Sequence, residues 1–101
     1  MFKPGDTIDA WTVERQLGSG GMGSVYLCRN RGARRILAAV KVLDSRLDAS
    51  PKVRARFVRE AELLFSLQHP NIVKVRNVRM DATPPYLEME FVEGPNLDAV
   101  L

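Results

Sequence analysis

The sequence predicts an α+β fold, a five-stranded antiparallel sheet with one long helix packed against it. Two observations carry this: hydrophobic spacing is strand-like up to Leu43, helical after Ser50 and strand-like again after Asn71, and the polar breaks between segments are short. Residues 1–10 read as a lead-in. Trp11, Val13, Arg15 and Leu17 then alternate with Thr12, Glu14 and Gln16 as a first strand, which runs into the glycine turn Gly18-Ser19-Gly20-Gly21-Met22-Gly23. Ser24 to Cys28 has the β-branched and aromatic content of a second strand, and Asn30-Arg31-Gly32 supplies turn chemistry before a third, Ile36 to Leu43. Val53, Phe57, Ala61, Leu64 and Leu67 or Gln68 follow helical spacing, with Ser50 as N-cap and Pro51 at the first helical position. His69-Pro70-Asn71 ends the helix, because a residue before proline is pushed out of the helical region. Ile72 to Met80 read as a fourth strand, Asp81 to Pro85 as a turn and Tyr86 to Val92 as a fifth strand. After a break at Glu93-Gly94-Pro95-Asn96, Leu97 to Leu101 read as a helix start at which the sequence stops.

At 101 residues, 46% hydrophobic and 27% charged, the chain has the composition of one soluble domain with its own core. Charged residues interrupt every apolar run well short of the roughly 20 residues a membrane span needs. Met1 to Asp6 lacks the charged-then-apolar pattern of a signal peptide. The single cysteine, Cys28, has no disulfide partner within the chain, and a reducing, cytoplasmic setting is expected. A net charge of +3 raises the question of nucleic acid. The fifteen basic residues cluster in part, at Arg29, Arg31, Arg34 and Arg35, at Lys52, Arg54, Arg56 and Arg59, and at Lys74, Arg76 and Arg79. Twelve acids are interspersed, and no aromatic residues alternate with the basic ones as stacking platforms would. Solvated faces are the better reading, and no nucleic-acid partner is expected.

Three features bear on chemistry. In Gly18-x-Gly20-x-x-Gly23 the missing side chains allow backbone N–H groups to approach phosphate oxygens, although a tight turn alone would account for the same residues. A strand follows these glycines, where a dinucleotide-binding fold would have a helix, so they read as a hairpin lid. Lys41 shares a strand face with Leu37, Ala39 and Leu43, where an unpaired cation would be costly to bury. Glu60 stands among Phe57, Ala61 and Leu64 on the core-facing stripe of the helix. The simplest solution pairs Lys41 with Glu60 across the strand–helix interface. Snorkelling of the lysine to solvent is the alternative.

With glycine lid, lysine strand and glutamate helix in this order, the sequence resembles the small, N-terminal lobe of a protein kinase. Leu17-Gly18-Ser19-Gly20-Gly21-Met22-Gly23-Ser24-Val25-Tyr26 matches the glycine-rich loop, and its Gly-Gly-Met-Gly core looks like that of bacterial eukaryotic-like serine/threonine kinases. Ala38-Ala39-Val40-Lys41 stands where that family has V-A-I-K. Arg59-Glu60-Ala61, His69-Pro70-Asn71-Ile72-Val73 and Met89-Glu90-Phe91-Val92 match the glutamate helix, the turn after it and the strand before the hinge. The resemblance implies Lys41 and Glu60 as the catalytic pair, Lys41 on the α- and β-phosphates of ATP and Glu60 acting through it. It implies a lid made by Leu17, Gly18, Ser19, Gly20, Gly21, Met22 and Gly23, with Val25 and Ala39 over the adenine ring. Met89 would be the gatekeeper, and backbone groups of Glu90 and Val92 would read the adenine edge. Leu64 and Val75 read as helix and strand core, and Cys28, His69 and Trp11 as packing or turn residues.

The sequence contains no H-R-D-x-x-x-x-N catalytic loop and no D-F-G motif, so the base and the Mg²⁺ ligands of phosphoryl transfer are not in this chain, and no metal ligand is assigned within it. The expectation is a small lobe over residues 11–101, truncated at the start of a large lobe, inactive alone and a weak ATP binder. Joined to its large lobe, it would use ATP and Mg²⁺ to phosphorylate protein substrates. A stand-alone interaction or regulatory module, self-associating through its uncovered apolar surface, is the alternative.

Overall fold

The computed structural model describes residues 2–19, 23–44, 50–66 and 74–91, with side chains of residues 63–66 excepted. The expected strands are present as β2 (Trp11–Ser19), β3 (Gly23–Asn30), β4 (Leu37–Leu43), β5 (Val75–Arg79) and β6 (Tyr86–Glu90), with one helix, α1 (Pro51–Ser66). A sixth strand, β1 (Thr7–Ile8), lies in the stretch read as a lead-in; two residues are too few to show a hydrophobic period. All pairings are antiparallel, and the spatial order is β1-β2-β3-β4-β6-β5. The expectations for residues 67–73 and 92–101 lie outside the described residues.

Alternation along β4 divides the core between the two faces of the sheet. Ala38, Val40 and Val42 join Ile8, Trp11, Val13, Tyr26, Cys28 and Tyr86 on one face. Ala39 and Leu43 face the other way, into clusters shared with β3, β6 and the helix. The β2 pattern does not run straight through. Register shifts fall between Val13 and Arg15 and between Gln16 and Gly18, and the first, a β-bulge, adds a residue that flips the alternation ahead of Leu17. Leu17, in phase with Trp11 and Val13 in the sequence, therefore packs against the opposite cluster.

The first face is closed by the chain's own N-terminal segment and by curling of the sheet. Asp9 and Ala10 form a two-residue turn between β1 and β2, with Asp9 at φ 55°, a conformation that aspartate tolerates better than most residues. Its carboxylate accepts from the Tyr86 hydroxyl at 2.9 Å, and the Trp11 indole donates to Glu88 at 3.2 Å. These bonds join β1 and β2 to β6, which lies beyond β3 and β4 in the sheet order. Phe2 stacks edge-on against Tyr26 at 5.6 Å, and its N–H donates to the Tyr26 hydroxyl.

On the second face α1 starts where the sequence predicts. The Ser50 hydroxyl accepts from the Val53 N–H at 3.3 Å and the Ser50 carbonyl from the Arg54 N–H at 3.0 Å, with Pro51 at the first helical position. This phase turns Phe57 and Ala61, both fully buried, onto Leu43 and Leu87. Each large side chain buried there contributes about 2 kcal/mol.

Two predictions follow from this packing. A Cβ on Gly23 would stand 1.9 Å from the Val42 carbonyl oxygen, so β3 approaches β4 as only glycine permits. Gly23→Ala is expected to cost about 1–3 kcal/mol, seen as a lower urea midpoint; an unchanged midpoint would contradict the close approach. Cys28 is fully buried, and desolvation, with the Glu14 carboxylate adding to it, pushes its thiol up to about 12. Its labelling by iodoacetamide at pH 8 should track global unfolding, whereas rapid labelling of the native chain would contradict this burial.

Candidate functional site

The candidate site forms around one charged side chain in the middle of the sheet. Lys41 sits between Ala39 and Leu43 on the helix-facing side of β4, directly opposite Val25 of β3 and Leu87 of β6. It is the one buried charged residue among those described, its side chain 7% exposed. Its ammonium donates to Glu60 Oε1, so the sequence-predicted pair is formed and the lysine does not snorkel. The Glu60 side chain is a third exposed, so the pair opens to solvent on its carboxylate side.

The helix delivers Glu60 there. The Ser50 cap sets the start, and Phe57 and Ala61 fix the rotation about the axis. Arg54, six residues before Glu60, donates to the Met80 carbonyl at 3.2 Å and holds the N-terminal half of α1 to the turn between β5 and β6. Removing one partner of a buried ion pair strands an uncompensated charge, at a cost of about 3–5 kcal/mol when both are fully buried. The exposure of Glu60 brings this pair to the low end of that range.

Beside Lys41, on the same face, Val25, Ala39, Val75 and Met89 form a buried apolar cluster flanked by the half-buried Leu17 and Phe91. The sequence singled out Val25, Ala39, Met89 and Leu17 for this place and read Val75 as strand core. Val75 pairs with Met89 in the β5–β6 register, which brings it into the same cluster. Phe91 was not singled out, and its position just after Met89-Glu90 was the available signal. Gly18 and Ser19 end β2 opposite Val25 and Ser24, and Gly23 opens β3, so the glycine motif spans a hairpin rather than opening a helix. Gly20, Gly21, Met22 and Val92 lie outside the described residues, as do His69 and the Leu64 side chain. The Glu90 N–H donates to the Lys74 carbonyl at 2.8 Å.

Chemically, the face offers a cation held in place by a carboxylate, next to an apolar surface. Such a site suits an anionic group. Trp11 and Cys28 belong to the opposite face. No group of three or more His, Cys, Asp and Glu that could hold a metal occurs among the described residues.

The chain matches the protein kinase domain family over residues 11–101. It is 42% identical over 97 residues to serine/threonine-protein kinase PknJ of Mycobacterium tuberculosis, covering 96% of this chain and 16% of that protein. It is likewise 42% identical over 97 residues to PknF of the same organism, covering 96% of this chain and 20% of the relative. It is 44% identical over 89 residues to serine/threonine-protein kinase pkn2 of Myxococcus xanthus, covering 88% of this chain and 11% of that one. Among solved structures, the Mycobacterium tuberculosis PknI kinase domain superposes with a TM-score of 0.66 at 35% identity, over 93% of this chain and 38% of that one. The chain thus spans a fifth or less of the length of these three curated relatives.

The ion pair can be measured by a double-mutant cycle. Glu60→Leu should destabilise the chain by about 3 kcal/mol, and adding Lys41→Met should recover most of that loss. Additive effects of the two changes in urea unfolding would mean that the charges are not coupled.

Proposed function

The chain belongs to the protein kinase domain family, and from that premise we propose that it is the ATP-binding lobe of a serine/threonine kinase. Joined to its large lobe, it transfers the ATP γ-phosphate to protein hydroxyls. The observation that carries this reading is the Lys41–Glu60 pair, a buried cation held beside an apolar cluster on one face of the sheet.

In this reading Lys41 binds the α- and β-phosphates, and Glu60 is a positioning residue that fixes the ammonium between the apolar wall and the cleft. Val25 and Ala39 cover the adenine ring from the sheet side, and Leu17 flanks it. Met89 closes the back of the pocket. The Glu90 N–H is already taken by Lys74, so its contribution to the adenine edge falls to its carbonyl, with the Val92 backbone beside it. The hairpin of Gly18, Ser19, Gly20, Gly21, Met22 and Gly23 lies over the phosphates. Gly23 within it also serves the close approach of β3 to β4.

Mg²⁺, when bound, neutralises charge on the phosphates; its ligands and the base that orients the substrate hydroxyl fall to the large lobe. The similarity to named serine/threonine kinases supports protein hydroxyls as acceptors. Residues 11–101 make the lobe, and residues 2–10 complete its far face.

The test is made in the protein that carries both lobes. Lys41→Met is expected to reduce phosphate transfer at least 100-fold in a chain that stays folded, its unfolding midpoint lowered less than by Glu60→Leu because the carboxylate left behind is a third exposed to solvent. Transfer retained at the parent rate would remove Lys41, and this reading of the site, from consideration.

A further inference from the structure

Arg54 is placed against the electrostatics of its own helix. It lies about one turn from the start of α1, where the positive end of the helix dipole disfavours a cation, and the first turn holds no acid to offset it. The β5–β6 turn gives it a role there. Its guanidinium donates to the Met80 carbonyl at 3.2 Å, across 26 positions of sequence, and a charged donor makes such a bond stronger than a neutral one. The Met80 side chain packs with Val53 against the cluster of Leu43, Phe57, Ala61 and Leu87, so Met80 meets the helix side through both its side chain and its carbonyl.

The Lys41–Glu60 pair depends on how α1 lies on the sheet. Phe57 and Ala61, both fully buried, are the apolar contact on which the helix rests. Arg54 stands three residues before Phe57 and Glu60 three after it, each about 4.5 Å along the axis. A polar bond and an ion pair therefore hold the helix on either side of one fulcrum. When the N-terminal half lifts from Met80, the helix pivots on Phe57, and the Glu60 carboxylate, a third exposed, moves with it.

On the kinase reading of the site, we infer that Arg54 is a positioning residue for phosphate transfer: its bond to Met80 sets the tilt of α1 at which Glu60 keeps the Lys41 ammonium aimed at the phosphates. Arg54 touches no nucleotide and acts through the helix and Glu60. The adenine contacts of that reading come from the strands and do not move with the helix, so loss of the bond lowers turnover more than nucleotide binding.

The test compares three variants in the protein that carries both lobes, by steady-state transfer with ATP as the varied substrate. Arg54→Met keeps the apolar stem and loses the donors; kcat should fall about tenfold, with KM for ATP changed less than about twofold. Arg54→Lys keeps a donor on a stem of similar reach and should recover most of the lost kcat. Arg56→Met removes a charge from an exposed position of the same helix and should leave kcat at the parent value. If Arg54→Met does not fold, Arg54→Gln, whose side chain is too short to reach the carbonyl, replaces it and should show the same loss. The inference is overturned by a parent kcat in Arg54→Met, by an equal loss in Arg54→Lys or Arg56→Met, or by a loss carried by KM alone. Lys41→Met tells the two failures apart: parent transfer there removes the kinase reading of the site, whereas lost transfer there with an unchanged kcat in Arg54→Met removes only the role of Arg54.

Discussion

A lysine in the middle of a sheet buried on both faces is the constraint around which this molecule is arranged. β4 has Ala38, Ala39, Val40 and Leu43 fully buried, and Lys41 only slightly less so. An ammonium there requires an anion close by, and neither cross-strand neighbour, Val25 nor Leu87, is one. The anion has to come from outside the sheet. The connection from β4 to β5 places a helix over this face, and Glu60 is the residue of that helix which pairs with Lys41. The Ser50 cap, the burial of Phe57 and Ala61 and the bond from Arg54 to Met80 all hold the helix in the one position that satisfies Lys41.

The rest of the sheet separates two environments. One face is a closed apolar core beneath the N-terminal segment, with its polar atoms spent on internal bonds: Tyr86 to Asp9, Trp11 to Glu88, Phe2 to Tyr26. The other face keeps its polarity for Lys41, with a buried apolar cluster beside it. The β2 bulge ahead of Leu17 makes this division possible, since a strand with perfect alternation would have sent Leu17 to the same side as Trp11 and Val13. The charged surface follows a similar economy. Arg29 and Arg79 are matched by acids, Glu14 and Asp81 respectively.

Much of this was legible from residue order. Period-two and helical spacing located five strands and the helix, because burial on one face of a regular element leaves that period in the sequence. Ser50-Pro51 marked the helix start, since capping is a local interaction. Lys41 and Glu60 stood out as charges in apolar rows, and burial in such rows dictates pairing whatever the fold's finer details. The motif order around them carried the resemblance to the kinase small lobe, which the family match supports over residues 11–101.

Only the folded chain decided the remainder, and in each case the interaction is between residues distant in sequence. β1 is held in the sheet because the Asp9 carboxylate next to it is caught by Tyr86, 77 positions away. The bulge that reassigns Leu17 arises from registering β2 on β3, not from β2 alone. Gly23 reads as part of a phosphate-binding turn in the sequence, yet its lack of a side chain is demanded by the Val42 carbonyl of the next strand. Periodicity reports which side of an element is buried; it does not report what lies across from it, and that is set by tertiary packing.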